Sequence, residues 1–329
     1  MLDPTFENAR GFLSKYLPQT RLLSASSLSD PPDQNVYLKL ESELPTGSFK
    51  VRGALYALGR QLQRAKVGEV VASSTGNHGA AVAYAARLLG VKARIFLPEN
   101  SNPVKRGNIV RLGAEIAEKG SADLAEAFHA AARYARTHGA FFLNDATDPD
   151  LPAGPGTIAC EILERLPEAD AIYVPMGDTA LIRGVAAAAK QISSRVKIIG
   201  VQSERAPSYF LSWKEGRAIE TETCDTIADG LATRTPVEAN VDAIRELVDE
   251  VLLVSEDEML RAIGRLLIDE HVVSEPAGAA ATAAFLKWRD RPRENAVLLV
   301  TGANLSAEVL RQAATVAPDI FPPGPIKAI

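Results

Sequence analysis

The chain has 329 residues, 47% hydrophobic and 23% charged, which is ordinary for a globular protein and enough for one large domain or two moderate ones. Its 36 Lys and Arg against 41 Asp and Glu give a formal charge of -5, which excludes a general pull toward nucleic acid or an anionic membrane. No apolar run approaches the roughly 20 residues of a bilayer span.

Along the chain, strand-like and helix-like patterns alternate. Apolar, β-rich runs are predicted at 36–40, 69–74, 93–98, 140–144, 171–176, 197–203, 250–255 and 296–301. Ala- and Leu-rich helical patterns are predicted at 48–65, 77–90, 103–112, 122–138, 154–166, 180–192, 256–270, 276–288 and 306–314. Strands apolar throughout and separated by helices predict an α/β protein with largely parallel sheets covered on both faces. The βα units fall into two clusters, with a small domain at 69–146 and a large one formed by 1–68 and 147–329. Ligands of such folds sit at the carboxyl ends of strands, here in a cleft between two sheets. The start MLDPTFENARGF carries early acids and no apolar segment, so it is not expected to act as a secretory signal. Cys160 and Cys224 lie outside any CxxC, and His78, His129, His138 and His271 lack metal-ligand spacing. Neither a disulfide framework nor a zinc site is expected, and a cytoplasmic setting fits.

The strand-end loops carry the chemistry. In PTGSFKVRGA (45–54), Lys50 stands at a helix start, where the helix dipole disfavours a cation. SSTGNHG (73–79) runs from a strand into a helix and reads either as an anion site or as an N-cap with a Gly turn. MGDTAL (176–181) also opens a helix with small residues, yet Asp178 would repel a phosphate, so it faces outward, bonds the loop itself, or marks a loop that is no phosphate site. TGAN (301–304) puts a hydroxyl at a strand end, and Glu275 in EPAGA is an acid that a helix start favours. A lysine, two anion-friendly loops and a hydroxyl together suit pyridoxal 5'-phosphate, which needs an amine for its aldehyde and partners for its phosphate and ring nitrogen.

From about residue 20 to 306 the chain resembles the fold-type II pyridoxal-phosphate enzymes, most closely the threonine/serine dehydratase and serine racemase branch. The shared segments are PTGSFKxRGA, S-x-G-N-H-G, AGPGTIACEI (153–162), TIADGLATRTP (226–236) and EPAGAAATAA (275–284). The resemblance implies that Lys50 carries the cofactor as a Schiff base and then serves as base, an office suited to a lysine of depressed pKa. It implies that Phe49 lies against the cofactor ring and that Asn77 bonds the ring hydroxyl. Gly177, Asp178, Thr179, Ala180 and Leu181 would hold the phosphate, and Thr301 the ring nitrogen. Ser74, Thr75, Gly76, Asn77 and His78 would grip the substrate carboxylate, with Thr75 standing where racemases place an acid/base Ser. K-x-R-G-A and N-H-G favour a dehydratase over threonine or cysteine synthases. The chain's end soon after its last βα unit favours a catabolic or unregulated enzyme.

The implied reaction is loss of water from a β-hydroxy amino acid such as L-threonine or L-serine, giving a 2-oxo acid and ammonia. Alternatives are a bulkier β-hydroxy substrate (phenylserine, hydroxyaspartate), racemisation, or cofactor binding without catalysis. The family suggests a homodimer. Metal-dependent relatives place acids where this chain has Gln202, Ala206 and Ser208, so no metal is expected. Arg52 and Arg183 read as an ion-pair partner and a surface residue.

Overall fold

The computed structural model describes residues 2–29, 34–74, 76–99, 103–118, 124–288 and 294–316. The chain opens with α1 (Pro4–Leu13), β1 (Leu22–Ser24), β2 (Asn35–Leu40) and α2 (Lys50–Arg64). It then runs through β3 (Glu69–Ser73), α3 (Asn77–Leu89), β4 (Lys92–Leu97), α4 (Pro103–Arg111), β5 (Glu115–Glu118), α5 (Leu124–His138) and β6 (Phe141–Phe142). Next come α6 (Ala153–Arg165), β7 (Ala171–Pro175), α7 (Ala180–Ile192), β8 (Lys197–Ser203), α8 (Ser208–Glu215), α9 (Glu238–Leu247) and β9 (Glu250–Val254). The described part closes with α10 (Glu256–Asp269), α11 (Pro276–Lys287), β10 (Asn295–Val300) and α12 (Ala307–Thr315).

The strands form two sheets. The larger has the order β1-β2-β10-β7-β8-β9, with only β1 antiparallel to its neighbour. The smaller has the order β5-β4-β3-β6 and is parallel throughout, with all its strands between residues 69 and 142. This is the expected α/β architecture. β7 is buried along its whole length, as a central strand covered by helices on both faces must be. Two apolar cores sandwich the large sheet: Leu38, Tyr173 and Phe285 pack on one face, and Ile172, Val297 and Ile182 on the other. A third fills the space between α2, α3 and the small sheet.

Six elements depart from the expected list. α1, β1, β5, α8 and α9 are not legible as periodic runs, and β6 is two residues rather than the five expected at 140–144. β1 and β6 are short edge strands, too brief to show a period of two. α1 buries only Phe6, Ala9 and Leu13, one narrow stripe on a polar helix.

Below the site lies a buried ionic cluster. The Arg52 guanidinium donates from Nε to Glu41 (2.8 Å) and from one terminal nitrogen to Glu161 (2.7 Å), while Lys39 also pairs with Glu161. Arg52 is therefore a structural ion-pair partner. It ties the first turn of α2 to α6 and to the end of β2, and so fixes the helix that begins at Lys50.

Candidate active site

The carboxyl ends of β3, β7 and β10 and the starts of four helices surround one cavity of about 840 Å³. Lys50 of α2, Asn77 of α3, Ala180 of α7 and Pro276 of α11 each begin a helix that has no side-chain N-cap, and all four residues line the cavity. The positive dipole ends of these helices, with first-turn backbone N–H groups in all but the proline position, make the space suited to anions.

Lys50 is presented by a turn stitched to the end of β10. Thr46 and Gly47 are both left-handed (φ 80° and 68°), which explains the glycine. Phe49 N–H donates to the Thr301 carbonyl (3.0 Å), Ala303 N–H donates to Gly47 (2.9 Å), and Ser48 bridges Gly302. A side chain at Gly47 would run into Asn304. Thr301, itself buried, thus lies beside the lysine's own turn.

The Lys50 Nζ donates to Asp145 Oδ2 at 2.7 Å and lies 5.6 Å from the centre of the Phe49 ring. Burial lowers the lysine's pKa, but Asp145, Asp178 and Glu275 outweigh it and the net shift is upward. The expectation of a depressed pKa is therefore corrected for this state: three carboxylates keep the amine an ammonium. For Asp145 itself, burial works upward, but Lys50 and then His78 prevail and hold it far below the usual carboxylate range.

The Ser74–His78 loop is only partly as expected. Ser74 Oγ accepts from Gly76 N–H (3.2 Å), which shapes the turn into α3. Thr75 lies outside the described residues. Asn77 Nδ2 donates to Glu275 Oε1 (2.6 Å), and its Oδ1 accepts from Asn304 (2.8 Å), which also donates to the Thr46 carbonyl. Glu275 is thus a site residue that clamps Asn77 across the cleft, more than an acid at a helix start. His78 Nε2 donates to the Leu143 carbonyl (3.0 Å); its Nδ1 is buried without a partner, and burial lowers its pKa.

At the other end, Thr179 precedes α7 with φ 67°, a conformation that favours glycine. Arg183 is no surface residue: its Nε donates to Thr179 Oγ1 (3.2 Å) and a terminal nitrogen to the Ala146 carbonyl (3.2 Å). Asp178 does not face outward. Its Oδ1 accepts from Thr233 Oγ1 (3.1 Å), and burial, then Asp145, push its pKa up to about 6. A Cβ on Gly177 would collide with the Gly230 carbonyl oxygen, so the TIADGLATRTP segment braces this loop directly. Gln202 and Ser208 are engaged elsewhere: Gln202 Oε1 accepts from Phe210 N–H and Ser208 Oγ donates to the Thr233 carbonyl.

The structure therefore brings Phe49, Lys50, Ser74, Gly76, Asn77, His78, Thr301 and the whole 177–181 loop around one cavity. Sequence reasoning missed Asp145, Thr233 and Asn304. Asp145 and Thr233 sit in loops with no distinguishing spacing; Asn304 carries one usable signal, its place inside the TGAN loop.

The profile of the family described as "Pyridoxal-phosphate dependent enzyme" matches residues 13–302. The chain belongs to that family. It is 36% identical over 304 residues to the L-threonine ammonia-lyase of Thermotoga maritima, covering 92% of this chain and 76% of that protein. To the catabolic L-threonine dehydratase TdcB of Staphylococcus aureus it is 34% identical, with 91% and 88% covered. Among solved structures, maize serine racemase superposes with a TM-score of 0.89 at 29% identity, over 94% of this chain and 95% of that one. The T.th. threonine deaminase gives 0.86 at 32% identity, over 93% and 99%. The enzyme uses pyridoxal phosphate, and the cavity fits the group. It offers an amine, uncapped helix starts for an anion, and Ser73 Oγ and His78 Nδ1 as buried polar atoms without partners.

Proposed function

We propose that this enzyme is an ammonia-lyase that converts L-threonine or L-serine to a 2-oxo acid and ammonia. The observation that carries the reading is Lys50 Nζ at the mouth of α2, in one cavity with Asn77, the 177–181 loop and Thr301. The curated relatives named above act, by their names, on threonine.

In this reading Lys50 holds the cofactor, Phe49 flanks its ring, Asn77 meets the ring hydroxyl, residues 177–181 take the phosphate and Thr301 meets the ring nitrogen. Bound there, the cofactor supplies an electron sink for the pair left on the substrate α-carbon. Ser74 to His78, at the start of α3, take the substrate carboxylate, with Thr75 an additional acid/base group. Lys50 removes the α-proton once its amine is neutral. Thr301 offers a hydroxyl and no negative charge, so it does not hold a proton on the ring nitrogen. The β-hydroxyl leaves as water, and the released enamine hydrolyses to the 2-oxo acid and ammonia.

The proposal extends to organisation: residues 69–146 act as a substrate-gripping domain against a cofactor domain of 1–68 and 147–329. That division is supported by the small sheet drawing every strand from 69–142. A homodimer in the cytoplasm completes the reading, and among the described residues no helix is long and apolar enough to cross a membrane. Incubation with L-threonine and L-serine, following 2-oxo acid release, tests it; no product from either would refute it.

A further inference from the structure

The cavity holds more acid than base. Asp145, Asp178, Asp229 and Glu275 line it, and among the described residues there the only Lys or Arg is Lys50. A phosphate monoester brings nearly two further negative charges at neutral pH. Asp178 belongs to the very loop assigned to that phosphate. Against it the start of α7 sets backbone N–H groups and a dipole end worth roughly half a charge. That is too little to offset a carboxylate and a phosphate together.

A full positive charge stands behind the loop. Arg183 lies one turn into α7, and its Nε turns back to donate to Thr179 Oγ1 (3.2 Å). A terminal nitrogen donates to the Ala146 carbonyl (3.2 Å), which Asn240 Nδ2 also bonds (3.0 Å). Among the described residues, every bonded partner of the Arg183 side chain is therefore a neutral oxygen. Burial, the largest influence, pulls its pKa below the ordinary arginine value, with Tyr209 and then Asp178 acting the other way. Arginine nevertheless stays charged in proteins. A charge drawn out of water and bonded only to neutral groups is stabilised by an anion that comes close.

Thr179 is the link. At φ 67° a threonine costs stability that a glycine would not, and the Arg183 bond to its hydroxyl works against that cost. Thr179 lines the cavity and Arg183 does not, so the guanidinium sits one side chain behind the loop and a bound cofactor need not displace it. Asp178 and Arg183 also act on one another, each moving the other's pKa toward its charged form.

Resting on the placement of the phosphate at 177–181, we propose that Arg183 is the counter-charge for the cofactor phosphate, acting from behind Thr179 and cancelling the charge of Asp178. With both charges present, the loop offers its N–H groups and helix dipole with no net charge opposing them. Without Arg183, Asp178 faces the phosphate uncompensated; without both, the loop is neutral again. Arg183 is thus a positioning residue that makes the site select the phosphorylated form of the cofactor.

The full-length enzyme, stripped of cofactor, supplies the test. The native protein, Arg183→Gln and the double variant Arg183→Gln/Asp178→Asn are titrated with pyridoxal 5'-phosphate and with pyridoxal, which lacks the phosphate, and binding is read from visible absorbance. Arg183→Gln should bind the phosphorylated ligand about tenfold more weakly and pyridoxal within about threefold of native, and the double variant should recover most of the loss. Arg183→Lys, which keeps the charge, should stay near native. A native preference retained in Arg183→Gln overturns the proposal and leaves the phosphate placement standing. Equal losses for both ligands overturn it too, and make Arg183 only a tie between α7 and Ala146. A double variant as weak as Arg183→Gln, or an Arg183→Lys protein as weak, removes charge as the cause. Equal native binding of the two ligands refutes the phosphate placement together with the proposal. Should Arg183→Gln fail to fold, Arg183→Met carries the same comparison.

Discussion

Lys50 Nζ and Asp145 Oδ2 stand 2.7 Å apart, linking the first residue of α2 to the loop that follows β6. The pair joins the two sheets' territories across the cavity and offsets the unfavourable placing of a cation at a helix start. Its charge state follows from opposing shifts, the lysine upward and the aspartate downward. The lysine's contribution to stability is complete below its ordinary pKa and is lost as pH rises through the higher folded value. The aspartate's is complete above its ordinary pKa and is lost as pH falls through the lower one. Between roughly pH 4 and 10 the pair is therefore intact. In Asp145→Asn the largest cause that raises the Lys50 pKa is gone, and its pKa should fall. The pH dependence of Lys50 labelling by an amine-reactive reagent, in enzyme stripped of cofactor, should move to lower pH; an unmoved curve contradicts the pairing.

The proposed phosphate site at 177–181 predicts that Asp178 makes cofactor retention depend on pH. With its pKa raised to about 6 by burial and by Asp145, the carboxyl is charged above that pH and would repel a phosphate held, as proposed, by residues 177–181. Affinity for the cofactor should decline as pH rises from about 5 to 8, and more steeply in the native enzyme than in Asp178→Asn. Fluorescence titration of both proteins across that range checks this; parallel slopes would show that Asp178 is not the titrating group.

Gly177 serves packing, whatever its part in the proposed phosphate site. A methyl group there runs into the Gly230 carbonyl, so Gly177→Ala must displace either the 177–181 loop or the 226–236 segment. Cofactor affinity should fall at least tenfold with little loss of helical circular dichroism. Unchanged affinity would mean that the two loops separate freely.

Arg52 is the keystone of a cluster in which two carboxylates, Glu41 and Glu161, depend on it. Arg52→Ala should cost about 3–5 kcal/mol, because it leaves buried carboxylates short of a cation. Urea denaturation measures this directly. Arg52→Lys should recover only part of the loss, since an ammonium cannot reproduce the fork that reaches both acids.

Much of this is legible from sequence for a physical reason. The buried parallel strands β7, β8 and β10 each contain an apolar run, and the helices between them are Ala-rich and periodic. The loops at Lys50, Asn77, Gly177 and Thr301 are legible because strand-to-helix junctions concentrate Gly, Ser, Thr and Asn. Asp145 is not, because its role depends on a partner 95 residues away in sequence. Nor is the inward aim of Asp178, which is set by Thr233 from a separate loop. Arg183 reads as a surface residue because nothing local shows that its guanidinium reaches back to Thr179 and across to Ala146.

The central claim is that Lys50 makes this cavity an elimination site for β-hydroxy amino acids. Its most direct test is 2-oxo acid release from L-threonine by the native enzyme and by Lys50→Ala, each with added pyridoxal phosphate and with the bound cofactor's visible absorbance recorded. Steady release with equimolar ammonia by the native enzyme, and loss of both product and absorbance in Lys50→Ala, is the predicted result. Release that persists undiminished in Lys50→Ala, or a native enzyme that yields no 2-oxo acid, would contradict it.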